Sequence, residues 1–318
     1  MIGITGGTGF IGHHLCDLLL SKGYKVIVFT RDMHKLTRRE SVKYTYWNPD
    51  EGKFDLSYFD DIIAVINLAG AGLADKRWTE KRKQEIIRSR VHSTQFLIER
   101  LREHAPNCKT LISASAINYY GADRTGYIPF REEAPAADDF LGTVCRQWEA
   151  TTYTGADFLR TVIFRFGMVL GKDDGAFPRL ADPQSIGIIP IIGSGRQVMS
   201  WIHISDLCRM LVWAVMEESV QGVFNAVAPY PVSLRRMMMT IAKEKGGVKI
   251  PVHVPNRLLS WLLGEMPQAV IKSLCVSAEK VQEAGFSFRY PTIGEAVKNI
   301  LHQAAMDKHN RSDTRKEE

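Results

Sequence analysis

The chain has 318 residues, 45% of them hydrophobic, a formal net charge of +6 and five cysteines. That length can bury a substantial core and suggests about two domains, while the modest charge, with no Lys/Arg stripe interleaved with aromatics, argues against a nucleic-acid platform. Cys16, Cys108, Cys145, Cys208 and Cys275 are odd in number and lack metal-ligand spacing, which fits reduced thiols in a cytoplasmic protein. With a strand starting at residue 2 and no apolar run of spanning length, neither a leader peptide nor a membrane partner is expected.

In chain order, an apolar strand from Ile2 runs into Gly6-Gly7-Thr8-Gly9-Phe10-Ile11-Gly12 and then into a helix with Leu15, Leu18 and Leu19 on one face. Strand, glycine turn and helix together form a dinucleotide site. Gly6 permits the tight turn, Gly9 lets backbone approach a pyrophosphate, and Gly12 lets helix pack on sheet. The N–H groups and dipole of the helix starting near Phe10 then face the phosphates. Gly6, Thr8, Gly9, Phe10, Ile11 and Gly12 are therefore the candidate cradle. The second strand, Lys25 to Thr30, tests which dinucleotide is bound. A carboxylate near its end would accept from the ribose 2'-hydroxyl of NAD. Here stand Thr30 and Arg31, and a guanidinium pairs with a 2'-phosphate, so NADP (NADPH) is the expected cofactor. Lys35, Arg38 and Arg39 add positive charge, and Asp32 is the one carboxylate that a shifted turn would aim at the ribose.

Farther on, Ile62 to Leu68 reads as a buried strand, Glu80 to His104 as one long helix, Thr110 to Ser115 as a strand, Asp139 to Thr152 as a helix, Arg160 to Phe166 as a strand and Ile204 to Glu217 as a helix. This alternation predicts an α/β doubly wound parallel sheet of the Rossmann kind. Pro and Gly become denser after Gly175, and a Met-rich helical region follows from Ser233, in which Met237-Met238-Met239 reads as core filling. The expected division is a dinucleotide-binding domain over 1–174, with 204–228 returning to it, a smaller, mainly helical substrate domain over 175–203 and 229–307, and a flexible tail over 308–318.

These motifs, with Asn67-Leu68-Ala69-Gly70, Ser113-Ala114-Ser115 before Tyr119-Tyr120-Gly121, and Trp201-Ile202-His203-Ile204-Ser205-Asp206, resemble the extended short-chain dehydrogenase/reductase superfamily, in its NAD(P)-dependent epimerase/dehydratase group. Ala74-Asp75-Lys76-Arg77-Trp78, Ser113 to Gly121 and Ser194-Gly195-Arg196-Gln197 are similar, more narrowly, to the atypical subfamily labelled "epimerase family protein", in which a segment like 251–301 forms a small helical domain. The resemblance places Leu68, Ala69, Gly70, Glu85 and Arg90 around the cofactor. Arg90 would bind cofactor phosphates or an anionic substrate; alternatively Glu85 and Arg90 belong to a surface ion-pair network.

The superfamily's chemistry uses a tyrosine and, four residues later, a lysine. Aligning Glu149 with the family's glutamate puts Leu141 and Cys145 in those places, and neither can do the job. Cys145 reads as a buried helix thiol rather than a nucleophile. Ser115 falls at the family's catalytic Ser/Thr position, and Tyr119 or Tyr120 offers a phenol beside it, unless both tyrosines merely pack against the sheet edge. The arginine that grips a nucleotide-sugar diphosphate in relatives is Met199 here, leaving Arg196 and Trp201 as candidate substrate contacts. His203 and Asp206 read as structural. Two functions follow: an NADP-dependent oxidoreductase or epimerase acting on a small carbonyl or anionic substrate, or a non-catalytic NADP-binding redox sensor or interaction module. A homodimer is compatible with either.

Overall fold

The structure is a computed structural model that describes residues 1–314 apart from 34–38, 40, 74, 123–127 and 256–271, with side chains to Met306. Its centre is an eight-stranded sheet. In chain order the strands are β1 (Ile2–Thr5), β2 (Val26–Thr30), β3 (Val42–Asn48), β4 (Lys53–Phe54), β5 (Ala64–Asn67), β6 (Thr110–Ala116), β7 (Arg160–Phe166) and β12 (Gly222–Ala226), with β8 (Met168–Leu170), β9 (Ile188–Ile192), β10 (Val198–Met199) and β11 (Trp201–His203) lying outside this sheet. Their spatial order is β12-β7-β6-β5-β1-β2-β3-β4, and all neighbours are parallel except β3 and β4. Strands buried on both faces read as continuous apolar runs, as β1, β2 and β5 do.

Alternation sends side chains to two cores. Ile2, Ile4, Val28, Ile66, Ile112 and Phe164 meet α1 (Phe10–Ser21) and α6 (Ile204–Met216) on one face. Ile27, Phe29, Val65 and Leu111 meet Leu97, Ile98 and Leu101 of α3 (Val91–His104) on the other. The sheet is thus doubly wound, as expected.

The expected single helix from Glu80 to His104 is two helices, α2 (Glu80–Arg88) and α3. The Ser89 hydroxyl donates to Ile86 O at 3.0 Å and accepts from Ala71 N at 3.0 Å, drawing the corner onto the loop after β5. A second apolar cluster gathers Leu170, Phe177, Ile189, Ile191, Met199 and Trp201 with Met237, Met238 and Ile241 of α7 (Leu234–Lys245) and Val297 and Ile300 of α9 (Ile293–Thr314). Met237 and Met238 fill that core as expected, whereas Met239 turns outward and is exposed. Three two-stranded pairs border it: β8 (Met168–Leu170) with β11 (Trp201–His203), β9 (Ile188–Ile192) with β14 (Ile250–Val254), and β10 (Val198–Met199) with β13 (Val232–Ser233).

Packing departs from the division drawn at residue 229. Leu274, Val276, Val281 and Phe286 belong to the first cluster, because Asn225 of edge strand β12 donates to Ser277 O at 3.1 Å and Lys280 to Val223 O at 2.8 Å. The expected tail from 308 continues α9 as far as Thr314.

Candidate functional site

At the carboxyl end of β1 the glycine turn is built by exclusion. Gly6 has φ +68°, and a Cβ there would lie 2.8 Å from the Leu68 carbonyl and 3.0 Å from Ala69 N. A Cβ on Gly12 would lie 2.5 Å from Gly7 Cα, so neither position accepts a side chain. Gly9 differs: it is exposed, and a Cβ would meet only Gly6 O at 3.3 Å. Gly9 is also the N-cap of α1, with no side-chain cap and no acid in the first turn, so the first N–H groups of the helix are left for a ligand. The turn is closed by Gly9 N donating to Gly6 O at 3.1 Å. The loop after β5 is tied to it, since Leu68 N donates to Thr5 O at 3.1 Å and Ala69 N to Thr5 Oγ1 at 3.3 Å. Gly6, Gly9, Gly12, Leu68, Ala69 and Gly70 are therefore brought together, with Thr8 exposed at the rim. Phe10 instead turns its ring toward Gly171 and Gly175, and Ile11 is half-buried against the first core.

At the end of β2, Thr30 is buried and its hydroxyl accepts from Asp32 N at 3.3 Å. The Arg31 side chain is 69% exposed and only loosely paired, at 3.5 Å, with Asp50, whose other oxygen takes Arg88 Nε at 2.7 Å. Arg39 pairs with Asp17 on α1, while Lys35 and Arg38 lie outside the described residues.

Glu85 and Arg90 part company. Glu85 is exposed and its carboxylate lies 2.8 Å from Nη1 of the buried Arg82, which holds the Glu85 carboxyl below the usual range. Arg90 sits at the corner against Gly70, its guanidinium over the Trp148 ring with Cζ 5.3 Å from the centroid.

The end of β6 carries a buried polar network that the sequence reading did not assemble. Ser115 Oγ donates to Glu149 Oε1 at 2.6 Å. Arg165 of β7 grips the same carboxylate with Nε at 2.9 Å and Nη2 at 2.8 Å, and gives Nη1 to Tyr120 Oη at 2.7 Å. Tyr120 Oη donates to Asn225 Oδ1 at 2.8 Å, and Asn225 N donates to Glu132 Oε1 at 2.8 Å. Burial raises the Glu132 carboxyl above its usual range and pushes the Tyr120 phenol up to about 12. The two candidate tyrosines are thereby separated. Tyr120 is 0% exposed, stacked on Phe130 and fully engaged, which removes it as a proton donor to a ligand. Tyr119 is half-buried beneath the Arg165 guanidinium, Cζ 3.5 Å from its ring centroid, and its hydroxyl has no hydrogen-bond partner among the described residues. Leu141 and Cys145 are buried on α4 (Phe140–Tyr153), and burial pushes the Cys145 thiol up to about 12.

Of the two expected substrate contacts, Arg196 is exposed in the Ser194–Gln197 loop. Trp201 is corrected: it is 0% exposed in the second core, its indole donating to Tyr230 O at 3.2 Å, so no side of it is left for a substrate. Met199 is buried beside it. His203 Nδ1 accepts from Ser205 N at 3.1 Å, and Asp206 accepts from Arg289 N at 2.9 Å and Tyr290 N at 2.8 Å. Both fix the β11–α6 corner. The residues the sequence reading missed are Arg165, Glu132 and Asn225; Glu149 entered it only as an alignment landmark. The signal was an arginine and a glutamate in apolar phase, which cannot be buried without partners.

The profile described as "NAD dependent epimerase/dehydratase family" matches residues 2–226, and "Domain of unknown function (DUF1731)" matches 254–300. The chain is 36% identical over 305 residues to an epimerase family protein of Staphylococcus saprophyticus, covering 94% of this chain and 98% of that one. It is 35% identical over 307 residues to the epimerase family protein YfhF of Bacillus subtilis, covering 94% and 97%. Among solved structures it is similar to human epimerase family protein SDR39U1 (isoform 2) crystallised with NADPH, with a TM-score of 0.84, 28% identity and coverage of 95% and 99%. The fold is shared with MoeE5 in complex with UDP-glucuronic acid and NAD, at a TM-score of 0.78, 21% identity and coverage of 96% and 99%.

Proposed function

The chain belongs to the NAD-dependent epimerase/dehydratase family, and from that premise we propose that it is an NADP(H)-binding oxidoreductase or epimerase of small carbonyl compounds, located in the cytoplasm. The observation that carries the cofactor reading is the turn at Gly9. Side chains are excluded at Gly6 and Gly12, and the least obstructed glycine of the three, where a Cβ would meet only Gly6 O at 3.3 Å, stands before an uncapped helix N-terminus. Those residues fit a pyrophosphate. The human relative's structure with NADPH supports the same reading. Arg31 would take the 2'-phosphate: its pair with Asp50 is long and exposed, and Asp50 keeps Arg88 when Arg31 leaves. Thr8, Thr30, Leu68, Ala69 and Gly70 would complete the cradle.

When bound, the dinucleotide supplies or takes up a hydride. The chain's own part is proton placement, for which we assign Tyr119 Oη, the hydroxyl beside the buried network that has no hydrogen-bond partner among the described residues. Ser115 has committed its proton to Glu149, and Arg165 holds that carboxylate in place, so Ser115 Oγ offers a ligand lone pairs and accepts from a substrate hydroxyl. Arg165 positions both groups, lying over one and pinning the other's partner.

A screen of small aldehydes, ketones and quinones with NADPH tests this. Tyr119→Phe is expected to lower kcat about a hundredfold, since a donor aimed at a developing oxyanion contributes on that order. A second reading, an NADP-binding protein without turnover, is favoured by the high proton affinities of Tyr120 and Cys145 and by Leu141. NADPH binding with no turnover on any substrate would select it.

A further inference from the structure

Arg90 carries a positive charge that no part of the site described so far neutralises. Its Nη1 donates to Ala71 O at 3.1 Å and Ile86 O at 3.2 Å, with Ser89 Oγ at 3.5 Å, while Nε and Nη2 donate to no described residue. No carboxylate lies within ion-pair distance among the described residues. Burial is the largest influence on it and opposes the charge; the Cys145 thiol nearby favours the charge but is itself held neutral by burial, and Arg82, of like sign, opposes it while spending itself on Glu85 at 2.8 Å and Asp75 at 3.6 Å. A cation withdrawn from water among neutral carbonyls and an indole face is costly, and it gains most from an anion.

Its surroundings present it to one. The guanidinium lies under Gly70, where a Cβ would sit 3.1 Å from Cζ and 3.2 Å from Nη2, so only the absent side chain keeps that face open. Gly70 is exposed and follows β5 at its carboxyl end, where ligands of doubly wound sheets bind. Arg90 is also the N-cap of α3, which has no side-chain cap and no acid in its first turn, so the helix dipole adds to the charge. Three neutral contacts and the Trp148 ring fix the fork while one edge stays unpaired, the arrangement that reads a carboxylate bidentately.

We propose that Arg90 is the receptor for a substrate carboxylate, so that the small carbonyl compound is an oxo or hydroxy acid. This rests on the dinucleotide reading of the crevice, and an anion at Arg90 could come from the cofactor's phosphates instead; the test separates the two. Oxalate, an unreactive dicarboxylate, is titrated into the full chain with and without NADPH, followed by tryptophan fluorescence and thermal melting, with NADPH affinity measured in parallel. Arg90→Gln is expected to weaken oxalate about tenfold or more while leaving NADPH affinity unchanged, and Arg90→Lys to recover part of the loss. Should Arg90→Gln fail to fold, Arg90→Lys carries the test alone: it keeps the charge without the forked edge, and it is expected to weaken oxalate severalfold while NADPH affinity stays near wild type. Oxalate bound equally by wild type and variants overturns the proposal. So does a loss of NADPH affinity with oxalate unchanged, which would assign Arg90 to the cofactor. A wild type that binds oxalate through Arg90 but not NADPH defeats the dinucleotide reading alone.

Discussion

The glycine turn after β1 and the polar network after β6 both stand at the carboxyl ends of parallel strands, but they are made of opposite materials. Between Gly6 and Gly12 the groups proposed to meet the dinucleotide are backbone N–H, and precision comes from side chains that are absent. Around Glu149 everything is side chain: a carboxylate held by Arg165 and Ser115, a phenol held between Arg165 and Asn225, all buried. Damage at the first should cost binding and little stability, whereas damage at the second should cost the fold before it costs chemistry.

The largest effect is expected from Glu149→Ala. It strips a buried guanidinium of both charge-assisted bonds, and breaking such a pair costs about 3–5 kcal/mol because the remaining ion is uncompensated. Urea unfolding measures it. A loss below about 1 kcal/mol would mean that water reaches Arg165 and that the network is a surface device like the glycine turn.

The same contrast decides what could be read from sequence. The turn is seven consecutive residues between a strand and a helix, so local geometry announces it. The network joins segments as far apart as Tyr120 and Asn225, 105 residues, and only the oddity of Arg165 inside Thr161-Val162-Ile163-Phe164-Arg165-Phe166 hinted at it. The break between α2 and α3 has no glycine or proline to mark it; it is made by a tertiary contact, Ser89 with Ala71. Strand β3 was within reach, since Val42 to Asn48 is rich in β-branched and aromatic residues. Trp201 went astray because chain position next to a substrate loop says nothing of which way an indole faces.

At the glycine end, Gly9→Val should reduce NADPH affinity about a hundredfold or more while stability to urea falls much less, because the one protein atom its Cβ meets is Gly6 O at 3.3 Å, a tight contact that a small shift relieves, and the rest of the side chain enters the space proposed for phosphate. Gly12→Ala is the sharpening control: its Cβ meets backbone at 2.5 Å, so stability should fall along with binding. A Gly9→Val protein that still binds NADPH by fluorescence titration would move the phosphates elsewhere. A smaller effect is expected from Arg31→Ala, about tenfold on NADPH and none on NADH, since hydrogen bonds to charged groups contribute about 1.5–3 kcal/mol and the exposed Asp50 pair offsets part of that. Equal losses for both dinucleotides would assign Arg31 to general electrostatics.

The smallest effect is expected at Cys145, and it tests whether the network end holds a nucleophile at all. Burial pushes the thiol up to about 12, so near neutral pH the thiol is held in its protonated form and not as the thiolate that reacts. The neighbouring Arg90 charge works in the opposite direction and is outweighed by burial and by Glu149. Cys145→Ala should therefore leave both NADPH affinity and any turnover rate within about twofold of wild type. In the folded protein the thiol should resist iodoacetamide across pH 7 to 9 and label only as the chain unfolds in urea, which mass spectrometry of the peptide holding residue 145 would follow. Rapid labelling under native conditions, or loss of rate in the alanine variant alone, would place reactive chemistry on α4 and make the network its support rather than a structural clamp for Ser115 and Tyr119.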